Sequence, residues 1–449
     1  MELYYPKIIT EIKNHSREVR SEAENIKNQV LNWLINDEAP NRKHLEWITI
    51  DKESSKDLDD WIWVEKTKEW YSLFISIADI SEIIRPRTIL DNDAYSRSTS
   101  VYTNSHVYHM FPNEISTDLA SLNHNTKRYT ITTRIDLNKN YKAINSEIFE
   151  SIFHNKKRFN YSEFNKQFNN YWEDYHSDLN LFHKIAKWLY QNRIWLWAKN
   201  DYKEKVTLKI DNEQKETDEN NSVASFIIQE FMVLANIENA KINFKEKINW
   251  IYRLHMPELK WKMSSTQEIQ RAFYNFRNWF HYWLWENFYW HFTSPIRRYA
   301  DLINHRQQKA WLRDKKSKNS EIYNINEIRK IIFNINSTIE KTIELEKEHN
   351  EEATNKRIER FLKRLAEDNF NTISSITWQR FSKLIKFFIQ NPDYLNIHKI
   401  NEEIIYRIEY DLLDKKSIAR ITSWANSINQ LNIFKEIINS KKEANELIY

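Results

Sequence analysis

The chain has 449 residues with 67 basic and 63 acidic side chains and a formal net charge of +4, so overall charge selects no partner class and any nucleic-acid surface must come from local clustering. No cysteine is present, which excludes disulfides and thiolate metal sites. The length gives room for two or three domains around a large core, no apolar run is long enough to span a bilayer, and the N-terminus lacks a signal-peptide pattern, so a soluble cytoplasmic protein is expected.

Residues 1–40 read as an N-terminal helical segment. Ser16 is a candidate N-cap, apolar side chains recur at Val19, Ala23, Ile26, Val30, Leu31 and Leu34, and Pro40 ends the pattern. Strands are predicted at 47–50, 61–65, 71–78 and 129–135. Between the first two lies Ile50-Asp51-Lys52-Glu53-Ser54-Ser55-Lys56-Asp57-Leu58-Asp59-Asp60. Four aspartates this close repel one another, and a hard divalent cation such as Mg²⁺ offsets that repulsion with an all-oxygen shell. On an extended segment Asp57 and Asp59 point to one side and Leu58 to the other, so Asp60 and Asp51 need a bend to join them. The competing reading of such a stretch is a solvated acidic loop.

Helical periodicity runs over 161–197, a strand is predicted at 205–210, and a long helix over 220–243 is too apolar for a surface position. Glu230 and Asn236 within it are costly to bury unpaired; they either bond to neighbouring backbone or face a cavity. Within 266–314, Thr293-Ser294-Pro295-Ile296-Arg297-Arg298 reads as an N-cap with proline and both arginines in the first turn of a helix, where backbone amides and guanidinium groups together suit a phosphate. The alternative is a capping turn whose arginines pair with acids elsewhere. A long charged helix spans 326–365. After about residue 370, Thr372–Thr377 suggests a strand, whereas 381–389 and 400–411 do not alternate cleanly and read as partly helical. No internal repeat is visible.

The acid cluster and the arginine motif, in this order and separation, resemble the signatures of the ribonuclease II / ribonuclease R family. The segments Ile77-Ala78-Asp79-Ile80-Ser81, Thr99-Ser100-Val101-Tyr102, Met110-Phe111-Pro112, Ser121-Leu122-Asn123, the stretch from Glu230 to Asn236 and Tyr252-Arg253-Leu254-His255-Met256-Pro257 match family segments in order, covering roughly residues 44 to 365. The resemblance implies an α/β (α+β) fold: an RNB-like catalytic domain at 41–366, of mixed β-sheet surrounded by helices, followed by a small accessory domain at 367–449. The fold of that last domain is open, a degenerate S1-like barrel being one reading. It further implies hydrolysis of single-stranded RNA from the 3′ end to 5′-mononucleotides, with two Mg²⁺ or Mn²⁺ ions, by a protein expected to be a monomer.

By motif position, Asp51, Asp57, Asp59 and Asp60 become the metal-ligand candidates and Asp60 the aspartate needed for cleavage. Arg297 becomes the ligand of the scissile phosphate, and Arg298 supports a neighbouring phosphate or the fold. Tyr102 and, more weakly, Tyr202 become the rings that stack on terminal bases, and Glu230 faces the RNA cavity. A pocket glutamate is implied on the long helix, with Glu344, Glu348, Glu351 and Glu352 competing for the role. Two other readings stand beside this one: a catalytically inactive RNA-binding protein of the same fold, and a metal-dependent deoxyribonuclease.

The chain contains no glycine and 18 tryptophans, whereas ordinary usage near 7% gives roughly thirty glycines in this length. Trp61, Trp70, Trp283 and Trp290 stand where the family pattern has glycine or a small residue. These positions read as glycine in the living protein, from a genome that decodes a stop codon as glycine; the alternative is a glycine-free chain that lacks easy access to φ > 0 at its turns. Were Trp61 a tryptophan beside the ligands, its bulk would favour the inactive reading.

Overall fold

The computed structural model describes residues 14–35, 42–103, 106–196, 223–244, 249–256, 271–313, 322–391, 393–394, 397–410, 412–413 and 417–421. Two compact units divide the chain: residues 1–102 with 106–345, and the residues from Glu346 onward.

The first unit opens with α1 (Arg17–Ile35), whose start is capped by Ser16 Oγ accepting from Val19 N at 3.3 Å. Strands β1 (Lys43–Asp51), β2 (Asp60–Lys66) and β3 (Tyr71–Ala78) follow, then the short helices α2 (Ile80–Ile83) and α3 (Ile89–Arg97) and the paired strands β4 (Val101–Tyr102) and β5 (Val107–Tyr108). A π-helical turn at Glu114–Leu119 leads into β6 (Lys127–Leu137) and β7 (Ala143–Asn160). Helices α4 (Tyr161–Asn169), α5 (His176–Trp195) and α6 (Val223–Phe244), the hairpin of β8 (Tyr252–Leu254) and β9 (Phe273–Asn275), and helices α7 (Tyr299–Arg313) and α8 (Ile325–Glu367) complete the sequence of elements. The strand predicted at 205–210 and Tyr202 lie outside the described residues, as does Pro40.

The expected mixed sheet is present, and it closes into a barrel in the order β1-β2-β3-β6-β7, with β1 and β7 paired in parallel and the other pairs antiparallel. Strand β3 is buried from Ser72 to Ala78, on both of its faces, which explains its near-continuous apolar run. Ile62, Val64, Leu73, Ile75, Ile77, Ile131 and Ile135 pack with Phe164 of α4, Phe182 of α5 and Phe231 of α6. On the alternate positions Trp61, Phe74 and Phe153 join Leu58, Met110, Ile296 and Tyr299. Burial of each such side chain contributes about 1.5–3 kcal/mol.

Strand β7 was not legible in the sequence, because Glu147, Glu150, Lys156, Lys157 and Arg158 break its alternation. It is nevertheless paired along both edges, with β6 and with β1. It ends on Asn160, which forms a capping box with Glu163 at the start of α4. The N-terminal helix is not a separate segment: Val19, Ala23 and Val30 belong to the same core cluster as Met110 and Ile115.

The described residues of the second unit form helices and turns. Its core comprises Leu362, Phe381, Leu384, Ile385, Phe388, Ile400, Ile404 and Ile408, from the end of α8, α9 (Trp378–Gln390) and α10 (His398–Glu409). The strand suggested at 372–377 is absent. Residues 372–377 carry a 3₁₀ turn at Ile373–Ser375, and no strand occurs among the described residues of this unit. The physical reason is the spacing of Phe381, Leu384, Ile385 and Phe388, which recurs at three and four residues as a helix requires. The division between the units falls at Leu345/Glu346, inside α8. No helix among the described residues is long and apolar enough to cross a membrane.

Candidate active site

The acid loop joins two adjacent antiparallel strands. Ile48 pairs with Ile62, so Asp51 at the end of β1 and Asp60 at the start of β2 lie at the same end of the barrel. Between them Leu58 is fully buried and held on both sides: its N–H donates to Ser121 Oγ at 3.1 Å, and its carbonyl accepts from Leu122 N at 3.1 Å. Ser121 Oγ also donates to Lys56 O at 2.8 Å, which gives the Ser121-Leu122-Asn123 segment a physical role as the cradle of the loop. Arg158 of β7 fastens the other limb through Ser55 O at 2.7 Å and Lys52 O at 3.2 Å. The aspartates are therefore mounted on strand ends and a pinned loop, a stiff base for ligands.

The arginine segment approaches this loop from the start of α7. Asp59 Oδ1 accepts the backbone N–H of Ile296 at 3.0 Å, and its Oδ2 lies 3.5 Å from Arg297 Nε. Thr99 and Ser100 hold the segment from a third side, Thr99 Oγ1 and Ser100 N both donating to Arg297 O at 3.0 Å. From a fourth, Asn236 Oδ1 accepts from Phe292 N at 2.9 Å while its amide donates to Thr293 Oγ1 at 3.4 Å. Asn236 thus bonds to neighbouring backbone, the plainer of its two readings. The helix starts at Tyr299, one turn later than expected, so both arginines sit in the preceding turn, and the amide at Ile296 serves Asp59. Arg297 is exposed at 41%, with Nη2 donating to Ser294 Oγ at 2.8 Å. Arg298 instead forks onto buried Asp301 at 2.7 and 3.0 Å, which marks it as part of the fold.

Burial pushes the carboxyl groups of Asp51, Asp59 and Asp60 upward, Asp60 to about 6. At Asp51 the neighbouring Asp60, Asp59 and Asp57 add to the effect of burial, while Arg158 opposes it. At Asp59 the Arg297 guanidinium and the Ile296 amide oppose burial, and at Asp60 Arg297 does so. Asp51 Oδ2 is buried without a hydrogen-bond partner among the described residues. An all-oxygen set that is desolvated, self-repelling and partly unpartnered fits a hard divalent cation.

Tyr102 on β4 is 41% exposed and its hydroxyl donates to Asp57 Oδ2 at 2.6 Å. His109, which sequence reasoning missed although it directly precedes the Met110-Phe111-Pro112 segment, places Nδ1 3.9 Å from that same oxygen. Glu230 is buried and ion-paired with Arg193 at 2.5 Å, the kind of partner that lowers the cost of a carboxylate on an apolar helix side. Glu344 pairs with Lys341, Glu352 with Lys356 and Glu351 with Lys386, while Glu348 is exposed. Trp61 follows Asp60 on β2, so strand alternation turns the indole away from that carboxylate. It stacks on Phe153 at 4.4 Å, and its bulk does not stand between the ligands.

A second acidic group, Asp79, Glu82 and Glu150, has ligand atoms all within 4.8 Å of one another; among the described residues the loop aspartates form no such group. Three cations already occupy this second cluster. Arg42 reaches all three carboxylates at 2.9 Å, Lys309 bonds to Asp79 and Glu82, and Arg313 bonds to Glu82 and Glu150 at 2.6 Å. Three charges balance three, which makes this a clasp between the chain before β1, β7 and α7 rather than a metal centre.

Comparison with known proteins follows the same lines. The RNB domain profile matches residues 41–271 and 260–314. The chain belongs to the RNB domain family. Curated relatives of this RNB chain include Ribonuclease R of Buchnera aphidicola subsp. Schizaphis graminum, 29% identical over 315 residues, covering 58% of this chain and 43% of the relative. Another is Ribonuclease R of Mycoplasmopsis pulmonis, 26% identical over 307 residues, covering 56% and 42%. The RNB chain thus spans less than half the length of these relatives. Its fold is similar to that of Mycoplasma genitalium RNase R in complex with ribose methylated single-stranded RNA, at a TM-score of 0.62 and 22% identity over 77% of this chain and 62% of that one. It is also similar to yeast Ssd1, a pseudonuclease, at a TM-score of 0.51 and 19% identity over 67% and 44%.

Proposed function

We propose that this RNB chain is a metal-dependent 3′→5′ exoribonuclease that hydrolyses single-stranded RNA to 5′-mononucleotides. The observation that carries the reading is the junction at Asp59, whose carboxylate meets both the Ile296 amide and the Arg297 guanidinium. Carboxylates that attract a cation and a guanidinium that binds phosphate stand side by side, the minimum apparatus for cleaving a phosphodiester. Asp51, Asp57, Asp59 and Asp60 would hold two Mg²⁺ or Mn²⁺ ions. Such ions, when bound, lower the pKa of a water and neutralise charge on the leaving oxygen.

The chain's own residues supply the rest. Arg297, exposed and held by Ser294, binds the scissile phosphate and offsets the charge that grows on it. Asp60 orients the attacking water. Tyr102 offers an exposed ring on which a terminal base stacks, a contact worth about 1–3 kcal/mol and tolerant of sequence. Likeness to Ribonuclease R supports this reaction class at the level of the family.

A second reading, an inactive RNA-binding clamp, draws on the spacing of the four aspartates, which form no three-carboxylate group within 4.8 Å. Incubating the protein with labelled RNA and DNA, with Mg²⁺ or with chelator, separates the readings. The proposal expects mononucleotides from RNA only, and only with the metal. Binding without cleavage under all metals would support the clamp.

A further inference from the structure

We propose that Tyr102 is the joint between the cation site and the nucleobase site, its hydroxyl holding Asp57 as a metal ligand while its ring carries the terminal base; this rests on the reading of Asp57 as a ligand. The geometry is specific. The hydroxyl donates to Asp57 Oδ2 at 2.6 Å, across 45 residues of sequence, and the His109 Nδ1 that lies 3.9 Å away faces that same oxygen. The tyrosine hydrogen bond falls on Oδ2 and leaves Oδ1 available to a cation; His109 Nδ1, at 3.9 Å, lies beyond hydrogen-bond distance. The carboxylate is oriented before any ion arrives, in the way outer partners orient metal ligands.

The remainder of the side chain faces outward, 41% exposed, and β4 pairs with β5 through Tyr102↔Val107, directly before the stretch containing His109. A base that stacks on the ring therefore restricts the same side chain that positions Asp57. By linkage the effect is reciprocal: a cation bound through Asp57 steadies the ring for the base, and a stacked base steadies Asp57 for the cation. Tyr102 is a positioning residue for the metal, and its ring is a substrate contact.

The variant that separates the two halves is Tyr102→Phe, which keeps the ring and removes the hydroxyl; Tyr102→Ala removes both. Mn²⁺ is titrated calorimetrically into the metal-free full chain without RNA. Loss of an outer partner of a ligand typically weakens metal affinity about 10–100-fold, and about tenfold is expected for Tyr102→Phe. In chelator, Tyr102→Phe, which keeps the ring, is expected to bind single-stranded RNA more tightly than Tyr102→Ala does. Equal Mn²⁺ affinity of wild type and Tyr102→Phe overturns this inference alone, and so does loss of RNA binding in chelator by Tyr102→Phe to the level of Tyr102→Ala. A wild-type chain that takes up no Mn²⁺ overturns the metal reading itself, and this inference with it.

Discussion

Replacing Asp60 by asparagine removes one charge from the acid loop while keeping its shape, and the structure sets the size of the effect on stability. Burial raises the Asp60 carboxyl from 3.8 to about 6; at about 1.4 kcal/mol per pH unit, holding it ionised costs the folded state about 3 kcal/mol. The side chain is partly exposed, so solvent screening reduces the expected gain on substitution to about 1–2 kcal/mol. The folded state binds the proton more tightly than the unfolded chain, so stability falls as pH rises from 3.8 toward about 6, and above that the whole penalty is present. Urea melts in chelator are therefore expected to show Asp60→Asn more stable than wild type at about pH 7.5, with a smaller gain at about pH 4.5. Added Mg²⁺ reverses the order, because a ligand at a hundredfold its Kd stabilises the wild type by about 2.7 kcal/mol and the variant by less. On labelled RNA the variant binds but does not cleave. A variant no more stable than wild type in chelator at neutral pH, or one that cleaves normally, would refute the reasoning.

The two arginines are predicted to behave differently. Arg297→Ala lowers cleavage about a hundredfold to a thousandfold and costs less stability than Arg298→Ala, because Asp59 keeps the Ile296 amide, whereas Arg298→Ala strands buried Asp301 and costs about 3–5 kcal/mol; a rate assay beside a denaturant melt distinguishes them. Lys309→Met opens the balanced cluster at Asp79 and destabilises by about 3–5 kcal/mol, an effect that no divalent cation rescues. Asp79 is held below its ordinary value chiefly by Lys309 and Arg42, against its burial, so its stabilisation is present above 3.8 and lost as acid protonates it. Trp285 sits at φ 55°, where a residue with a Cβ loses about 1–2 kcal/mol; Trp285→Gly is expected to raise stability by about 1 kcal/mol in thermal melts. Peptide mass spectrometry of the native protein is expected to find glycine masses at positions 61, 70, 283 and 290. The buried indole N–H groups of Trp61, Trp283 and Trp290, which lack partners among the described residues, point the same way.

Taken alone, the sequence determined what is local. The spacing of apolar residues marked β3 at its observed bounds, the charged stretch marked the long helix α8 to within two residues at either end, and the ordered motifs marked the family to which the chain belongs. It could not reveal β7, whose charged residues hide a strand that is held by neighbours on both edges, nor the 3₁₀ turn at Ile373–Ser375. Which charges are spoken for was also out of reach. Arg298 and Glu230 look like site residues until their partners Asp301 and Arg193 are seen. Only the tertiary structure decided that Asp59 meets the backbone of Ile296, 237 residues away. That meeting depends on the barrel bringing the β1–β2 loop beside the start of α7, and hydrogen bonds and charge pairing act through space while sequence patterns report only the path of the chain.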